Sequence, residues 1–268
     1  KKEKMDNLYC IYTNSIGNGA YDFYMAKVDE GAELEWEKAY GDFGWEKVND
    51  AALTRDTGTI MVGETSSNVT NNKDIYIVRT DINGDTLWTK TIDGPLNDYG
   101  LHIEETSDSG FIITGHTYSF VNPGSLGVYL IKLDSMGNLE WTQTYGGDLH
   151  GDQGMCVKQT SDGGYAICGM GGDIGSTTFG GSGCGLLIKT DNLGNVEWSK
   201  SFGTIEGGYA EDMVITNDGG YLIFGNMSTT DPLPLGYLLK LNAVGDVIWL
   251  KGYSDISDLF HSKNCSQR

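Results

Sequence analysis

One stretch recurs five times and limits the fold of this chain more than any other feature. Its clearest copy is Leu133-Asp134-Ser135-Met136-Gly137-Asn138-Leu139-Glu140-Trp141: an Asp, a glycine three residues later, and a tryptophan four beyond that. Related copies end at Trp36, Trp88, Trp198 and Trp249, at spacings of 52, 53, 57 and 51 residues. A period of about 50 residues marks a tandem array of one supersecondary unit, no copy of which can bury its apolar face alone.

Each unit reads as four strands. In the unit holding Trp141, Leu101 to Thr106 is a first strand and Asp108-Ser109-Gly110 a turn. Phe111 to Gly115 is a strongly apolar second strand, Val128 to Leu133 a third, and Leu139 to Tyr145 a fourth. The first turn recurs at 55–58, 107–110, 161–164 and 217–220, where Asp and Gly suit positive φ in a hairpin. Four short strands per unit, repeated in a row, predict the blades of a β-propeller.

The ends fit the same frame. Residues 8–41 supply a second, third and fourth strand but no first. In complete units a Thr ends the first strand 18 or 19 residues after the Trp (Thr54, Thr106, Thr160, Thr216), and 18 residues past Trp249 lies Gln267. His261 to Gln267 is therefore expected to be the missing strand. The prediction is an all-β, five-bladed propeller of four antiparallel strands per blade, a single domain over 1–268, closed by pairing of the N- and C-terminal strands. Blade 1 is 8–41 plus 260–268, blade 2 is 46–93, blade 3 is 98–146, blade 4 is 152–203 and blade 5 is 208–254. Closure would remove exposed sheet edges.

Other repeated positions have structural explanations. Lys27, Arg79, Lys132, Lys189 and Lys240 share one place in the third strand, followed by Asp29, Asp81, Asp134, Asp191 and Asn242. They are expected to form inter-strand charge pairs and turn caps. The tryptophans are expected to pack between neighbouring blades. The first blade places Ala32 where the others carry Gly, so its turn is expected to differ.

These motifs carry a resemblance. D-x-x-G-x-x-x-W with D-G-G-Y resembles the tandem repeats of bacterial secreted or cell-envelope β-propeller proteins, over nearly the whole chain. The Asp-Gly-Trp part is similar to the tryptophan-docking motif of quinoprotein-type propellers. The resemblance implies an exported or surface-anchored protein, secreted or lipoprotein in type, whose signal segment is absent from this sequence. Quinone-dependent members often carry a vicinal cysteine pair, and this chain has none.

Composition narrows the partners. A net charge of -19 and a pI near 4.4 argue against nucleic acid, which needs a basic surface. No apolar run approaches the roughly 18 residues that span a bilayer. The start, Lys1-Lys2-Glu3-Lys4, reads as a processed boundary. The chain is expected to be a monomer that recognises a carbohydrate or protein partner.

The five cysteines include no C-x-x-C pair, so a structural zinc site is not expected. In the repeat frame Cys156 and Cys168 straddle the turn at Asp162, and Cys10 and Cys265 straddle the equivalent turn. Two disulfides follow, Cys156–Cys168 and Cys10–Cys265, with Cys184 free. The alternative is that all five are small buried hydrophobes.

Candidate function lies where the repeats differ. The variable loops join second to third strands, at 15–20, 64–73, 116–126, 170–183 and 226–235; the loops joining blades are expected on the same face. Their aromatics suggest sugar stacking beside Asp, Asn and Gly: Trp45, Phe43, Tyr99, Tyr209 and Tyr118, with Phe120 and Phe179. Loop packing is the competing explanation. Trp45 is the first to test, because it lies outside the repeated Trp position. Four residues before each Thr stand Asp50, His102, Cys156 and Asp212. Facing a channel, Asp50, His102 and Asp212 have metal-ligand chemistry, and Asp50 with Asp212 could act as acid and base in glycoside hydrolysis. Local blade-to-blade hydrogen bonds are the competing explanation, and the stronger one. No organic cofactor is expected, and a structural cation in the channel is the one candidate. Two functions stand open: a binding or scaffold module, or a glycan-acting hydrolase.

Overall fold

The second strand of each unit is a run of apolar residues with a glycine near its end, and such a run is stable only between two other strands. The computed structural model describes residues 7–13, 17, 20–42, 44–66, 72–147, 151–171, 184–202, 208–227 and 235–253. They form 19 strands in five antiparallel sheets.

The chain divides into two compact units, 1–149 and 150–268. The first holds three sheets. One has three strands: β1 (Asn7–Thr13), β2 (Asp22–Val28) and β3 (Leu34–Tyr40). Two have four strands each: β4 (Trp45–Leu53), β5 (Thr59–Ser66), β6 (Lys73–Thr80) and β7 (Thr86–Ile92), then β8 (Asp98–Glu105), β9 (Phe111–Thr117), β10 (Gly127–Leu133) and β11 (Leu139–Gly146). The second unit holds β12 (Gln153–Gln159), β13 (Tyr165–Gly171), β14 (Cys184–Thr190) and β15 (Val196–Phe202), then β16 (Gly208–Ile215), β17 (Tyr221–Met227), β18 (Leu235–Leu241) and β19 (Val247–Tyr253). Within each sheet consecutive strands are neighbours, as the sequence predicts. The segment expected to supply a further first strand, His261 to Gln267, lies outside the described residues, as do Phe43, Phe179 and Cys265.

Within each unit, successive sheets pack face to face, with the first strand of the following sheet against the strands of the one before. In the first unit Ile60, Val62, Ile75 and Ile77 meet Ile103, Phe111, Ile113 and Ile131, all buried. Phe23 and Met25 meet Met61 and Val78 in the same way. In the second unit Ala166 and Leu187 meet Met213, Tyr221 and Ile223. Each fully buried aliphatic side chain contributes about 1.5–3 kcal/mol.

The turns show why the repeat is written as it is. In the first hairpin the positive φ falls on the residue after the Asp: Thr57 (71°), Ser109 (66°), Gly163 (87°) and Gly219 (76°). The Asp is instead an acceptor. Asp108 Oδ1 takes the Thr106 hydroxyl at 2.5 Å and the Gly110 N–H at 2.9 Å. In the second hairpin Asp134 Oδ1 accepts the N–H groups of Met136 and Asn138, both at 2.8 Å. The first sheet corrects an expectation: Ala32 adopts φ 62° and keeps the same turn, with Gly31 and Glu33 N–H groups on Asp29 at 2.8 and 3.0 Å. The Asp acceptor fixes this turn, and an Ala tolerates the left-handed region at modest cost.

The repeated cations join the two hairpins. Lys132 Nζ lies 2.9 Å from both Asp108 and Glu140, and Lys189 Nζ 2.9 Å from Asp162 and 3.0 Å from Glu197. Arg79 pairs with Asp56 and Lys240 with Asp218. The expected charge pairs are therefore present. Burial alone would raise Asp108, but the Thr106 hydroxyl, the Lys132 ammonium and the Gly110 N–H hold it down to about 2. Asp162 is held to about 2 by the equivalent groups, the Thr160 hydroxyl, the Lys189 ammonium and the Gly164 N–H, against the raising effect of burial.

Each tryptophan with a following sheet in its own unit docks on that sheet's turn glycine. Side-chain carbons added to Gly84 and Gly137 would sit 2.8 Å from Trp36 and 2.9 Å from Trp88. The expected packing between neighbouring sheets is observed at these positions.

The cysteine register is as expected, but the bond is not. Cys156 and Cys168 are Cα partners across β12 and β13, yet no disulfide joins them and both are buried. Cys156 Sγ turns instead toward the Met213 carbonyl of β16, at 3.9 Å. Cys10 is likewise a free thiol, pushed up to about 12 by burial and by the Asp50 carboxylate. Cys184 is buried and forms no disulfide among the described residues.

Candidate functional site

The position just after Gly63, Gly115, Gly169 and Gly225 varies: Glu64, His116, Met170, Asn226. At Gly63 and Gly115 the facing first strand comes so close that a side-chain carbon would strike the Lys47 and Tyr99 carbonyls. The backbone is fixed there, and the next side chain is free to differ.

In the first unit these places carry a row of aromatic and charged groups. Trp45 opens β4 and forms a parallel bridge with Tyr21; their rings meet edge to face, with centroids 6.1 Å apart. Lys73 opens β6. Its ammonium lies 4.8 Å from the Trp45 ring centre and 5.1 Å from that of Tyr99, on β8. Glu64 Oε1 accepts a hydrogen bond from it at 3.1 Å. Tyr99 stacks on His116 at 4.4 Å with a 30° tilt, and His116 meets Tyr118 at 6.3 Å, edge to face. The Lys73 N–H donates to Asn97 Oδ1 at 2.9 Å, and the Asn97 carbonyl accepts the Tyr118 N–H at 3.0 Å. The row runs Tyr21, Trp45, Lys73, Tyr99, His116, Tyr118.

Its electrostatics follow from burial. His116 falls to about 4, first because it is buried and second because Lys73 repels a proton. It is neutral at pH 7, and its buried Nδ1 has no hydrogen-bond partner. The Tyr99 hydroxyl is raised by burial and by Glu64. Each cation–π contact is worth about 0.5–2 kcal/mol. The row is thus pre-ordered, with Trp45, Tyr99 and Tyr118 all half-buried.

Of the aromatics singled out in the sequence, the structure brings Trp45, Tyr99 and Tyr118 together. Tyr209 is exposed in the second unit, where its carbonyl accepts the Tyr237 hydroxyl at 3.2 Å. Phe120 packs on Tyr129, centroids 5.4 Å apart. Tyr99 has both Lys73 and His116 against its ring and stays half-buried. Lys73, Glu64 and His116 carry the site's polar chemistry without having been assigned a role in the sequence. The varying residue after a repeated glycine was the signal that could have found Glu64 and His116.

The four residues that each precede a repeated Thr by four positions make local contacts. Each follows a β-bulge, at Asp50, His102, Cys156 and Asp212. A bulge re-aims a strand's side chains. Asp50 Oδ2 accepts the Ile103 N–H at 2.9 Å and lies 3.8 Å from His102 Nε2. Asp212 Oδ1 accepts the Met213 N–H at 2.7 Å. Asp50 and Cys156 both reach the backbone of the next sheet, as the hydrogen-bond alternative expects. Among the described residues no group of three or more His, Cys, Asp or Glu could hold a metal ion, and no helix is long and apolar enough to cross a membrane.

The chain matches no protein-family model and no curated protein. Among solved structures it is similar to the Neurospora crassa Pan2 WD40 domain, with a TM-score of 0.59 at 11% identity, over 93% of this chain and 64% of that one. It therefore spans just under two thirds of that domain. A Synechocystis apocarotenoid oxygenase (TM-score 0.49, 13% identity, 92% of this chain and 58% of that one) and a GH43 β-xylosidase/α-arabinofuranosidase from a compost microbial metagenome (0.44, 12%, 84% and 82%) resemble it more weakly. The Pan2 likeness bears on fold alone: the chain is all-β and propeller-like.

Proposed function

We propose that this chain is a binding module that recognises a carbohydrate or protein partner at the Trp45–Tyr118 row, with carbohydrate the better fit. The observation that carries the proposal is the placement of Lys73 beside Trp45 and Tyr99. It fixes half-buried aromatic rings among amide and carboxylate groups before any partner arrives. A rigid indole next to fixed polar groups suits a sugar, whose C–H face stacks while its hydroxyls hydrogen-bond. Asp50 is engaged between sheets, and nothing in its surroundings favours hydrolysis over binding. The test is a glycan array probed with wild type and Trp45→Ala. Signals lost in the variant support the proposal; signals equal in both, or none in either, count against it.

We also propose that the five sheets are blades of one closed propeller, acting outside the cell. The 18-residue spacing from Trp249 to Gln267 and the propeller-like fold support closure. Removing residues 259–268 is expected to lower the unfolding temperature, and an unchanged temperature would count against closure. The secreted-repeat resemblance supports an exported location, which fractionation of the producing cells would test; a purely cytoplasmic protein would contradict it.

A further inference from the structure

Two carboxylates in the first unit are buried close together. Asp22, the first residue of β2, is 1% exposed, and Glu46, the second of β4, is 2% exposed. Their sheets are tied side by side: the Glu46 N–H donates to the Tyr21 carbonyl at 2.9 Å, and the Ala20 N–H to Gly44 at 3.0 Å. Glu46 Oε1 accepts the Thr65 hydroxyl at 2.7 Å. Glu46 Oε2 is buried and accepts no hydrogen bond. It points at the same spot as Asp22 Oδ1: a side-chain carbon on Gly41 would collide with both oxygens.

The charges that bear on Glu46 make this worse. Burial raises its carboxyl, the Thr65 hydroxyl and the Asp42 backbone N–H partly oppose that, and both neighbouring charges, Asp22 and Asp42, are negative. Burying a carboxylate without a compensating partner costs several kcal/mol. The next sheet solves the same problem differently. Asp98 holds the equivalent place, and both its oxygens are used, one by the Thr117 hydroxyl and the other by Ser119 at 2.7 Å. Thr65 matches Thr117. Ser67, the counterpart of Ser119, lies outside the described residues.

We propose that Glu46 Oε2 and Asp22 Oδ1 are ligands of a calcium ion seated between these two sheets, against the bare Cα of Gly41. A hard cation takes oxygen ligands only, and calcium completes its six to eight with water and backbone carbonyls. The net charge of -19 concentrates cations around the chain. With two protein carboxylates the site belongs at the weak end of calcium affinities, about 10⁻⁴–10⁻³ M.

The test uses the full chain after EDTA treatment. Calcium at about 10 mM should raise the unfolding temperature by about 3–6 °C. Terbium emission, sensitised through the adjacent Trp45, should saturate and be displaced by calcium. Glu46→Gln, and separately Asp22→Asn, should each weaken calcium at least about tenfold. Two results would overturn the proposal. One is a wild type indifferent to calcium, or a calcium response unchanged in both variants. The other is a calcium-independent loss of stability in Ser67→Ala, which would give Glu46 Oε2 to that hydroxyl.

Discussion

Trp198 lies against the turn of the following sheet so closely that a side-chain carbon on Gly245 would sit 2.8 Å from its Cζ3. Gly245 also holds φ 81°, so two separate demands fall on one residue. Gly163 has φ 87° but nothing within 4 Å of an added carbon. Gly245→Ala should therefore destabilise by about 2–4 kcal/mol, while Gly163→Ala costs only the conformational part, about 1–2 kcal/mol. Urea unfolding of the two variants separates the terms. Equal losses would mean that tryptophan docking contributes nothing.

Ala32 shows the same turn under strain. Ala32→Gly should stabilise by about 0.5–1 kcal/mol, because the left-handed conformation costs glycine nothing, although its freer unfolded chain offsets part of the gain. The measurement is the thermal midpoint, expected to rise. A fall would show that the alanine methyl makes a contact worth more than the strain.

Lys132 and Asp108 set part of the acid limit. Asp108 titrates near 2 in the folded chain against 3.8 ordinarily, so the unfolded chain binds its proton first. The stability this provides is whole above about pH 4 and is lost as pH falls from there toward 2. Lys132→Met removes one source of the depression. The variant should be less stable at pH 7 and lose less between pH 4 and 2, which denaturant titrations at several pH values would show. A parallel acid limb in both proteins would contradict the pairing.

His116 works in a higher window. Its folded value is near 4 against 6.5 ordinarily, so the unfolded chain again takes the proton first, and stability falls as pH drops from about 6.5 to 4. NMR titration should find a neutral imidazole at pH 6. Lys73→Met should raise its value only modestly, since burial is the larger cause. An imidazole titrating near 6.5 in the wild type would mean that the row is open to water.

The repeat made much of this fold legible. The Asp134-to-Trp141 stretch fixes β10 and β11 to within a residue, and counting from Thr160 sets Cys156 opposite Cys168. Those features depend on neighbours along one hairpin, where spacing carries geometry. What spacing cannot encode is a side chain's choice between partners. Cys156 turned to Met213 in the next sheet rather than to Cys168. Ala32 departs from the repeat in sequence but not in conformation, because the Asp29 acceptor holds the turn without the glycine. Trp45, Tyr99 and Tyr118 could be suspected singly. Lys73 could not, because its meaning comes from β4, β5 and β8 meeting around one ammonium. The buried pair of Asp22 and Glu46 was hidden for the same reason.

The binding claim has one direct test. Labelled protein is titrated with the strongest glycan from the array while the Trp45 and Trp249 indole N–H signals are followed. Trp249 is 38% exposed and remote in sequence from the row, so it serves as the control. The account predicts that Trp45 shifts saturably, together with Lys73 and Tyr118, while Trp249 stays in place. Saturable shifts at Trp249 with Trp45 unmoved would contradict it.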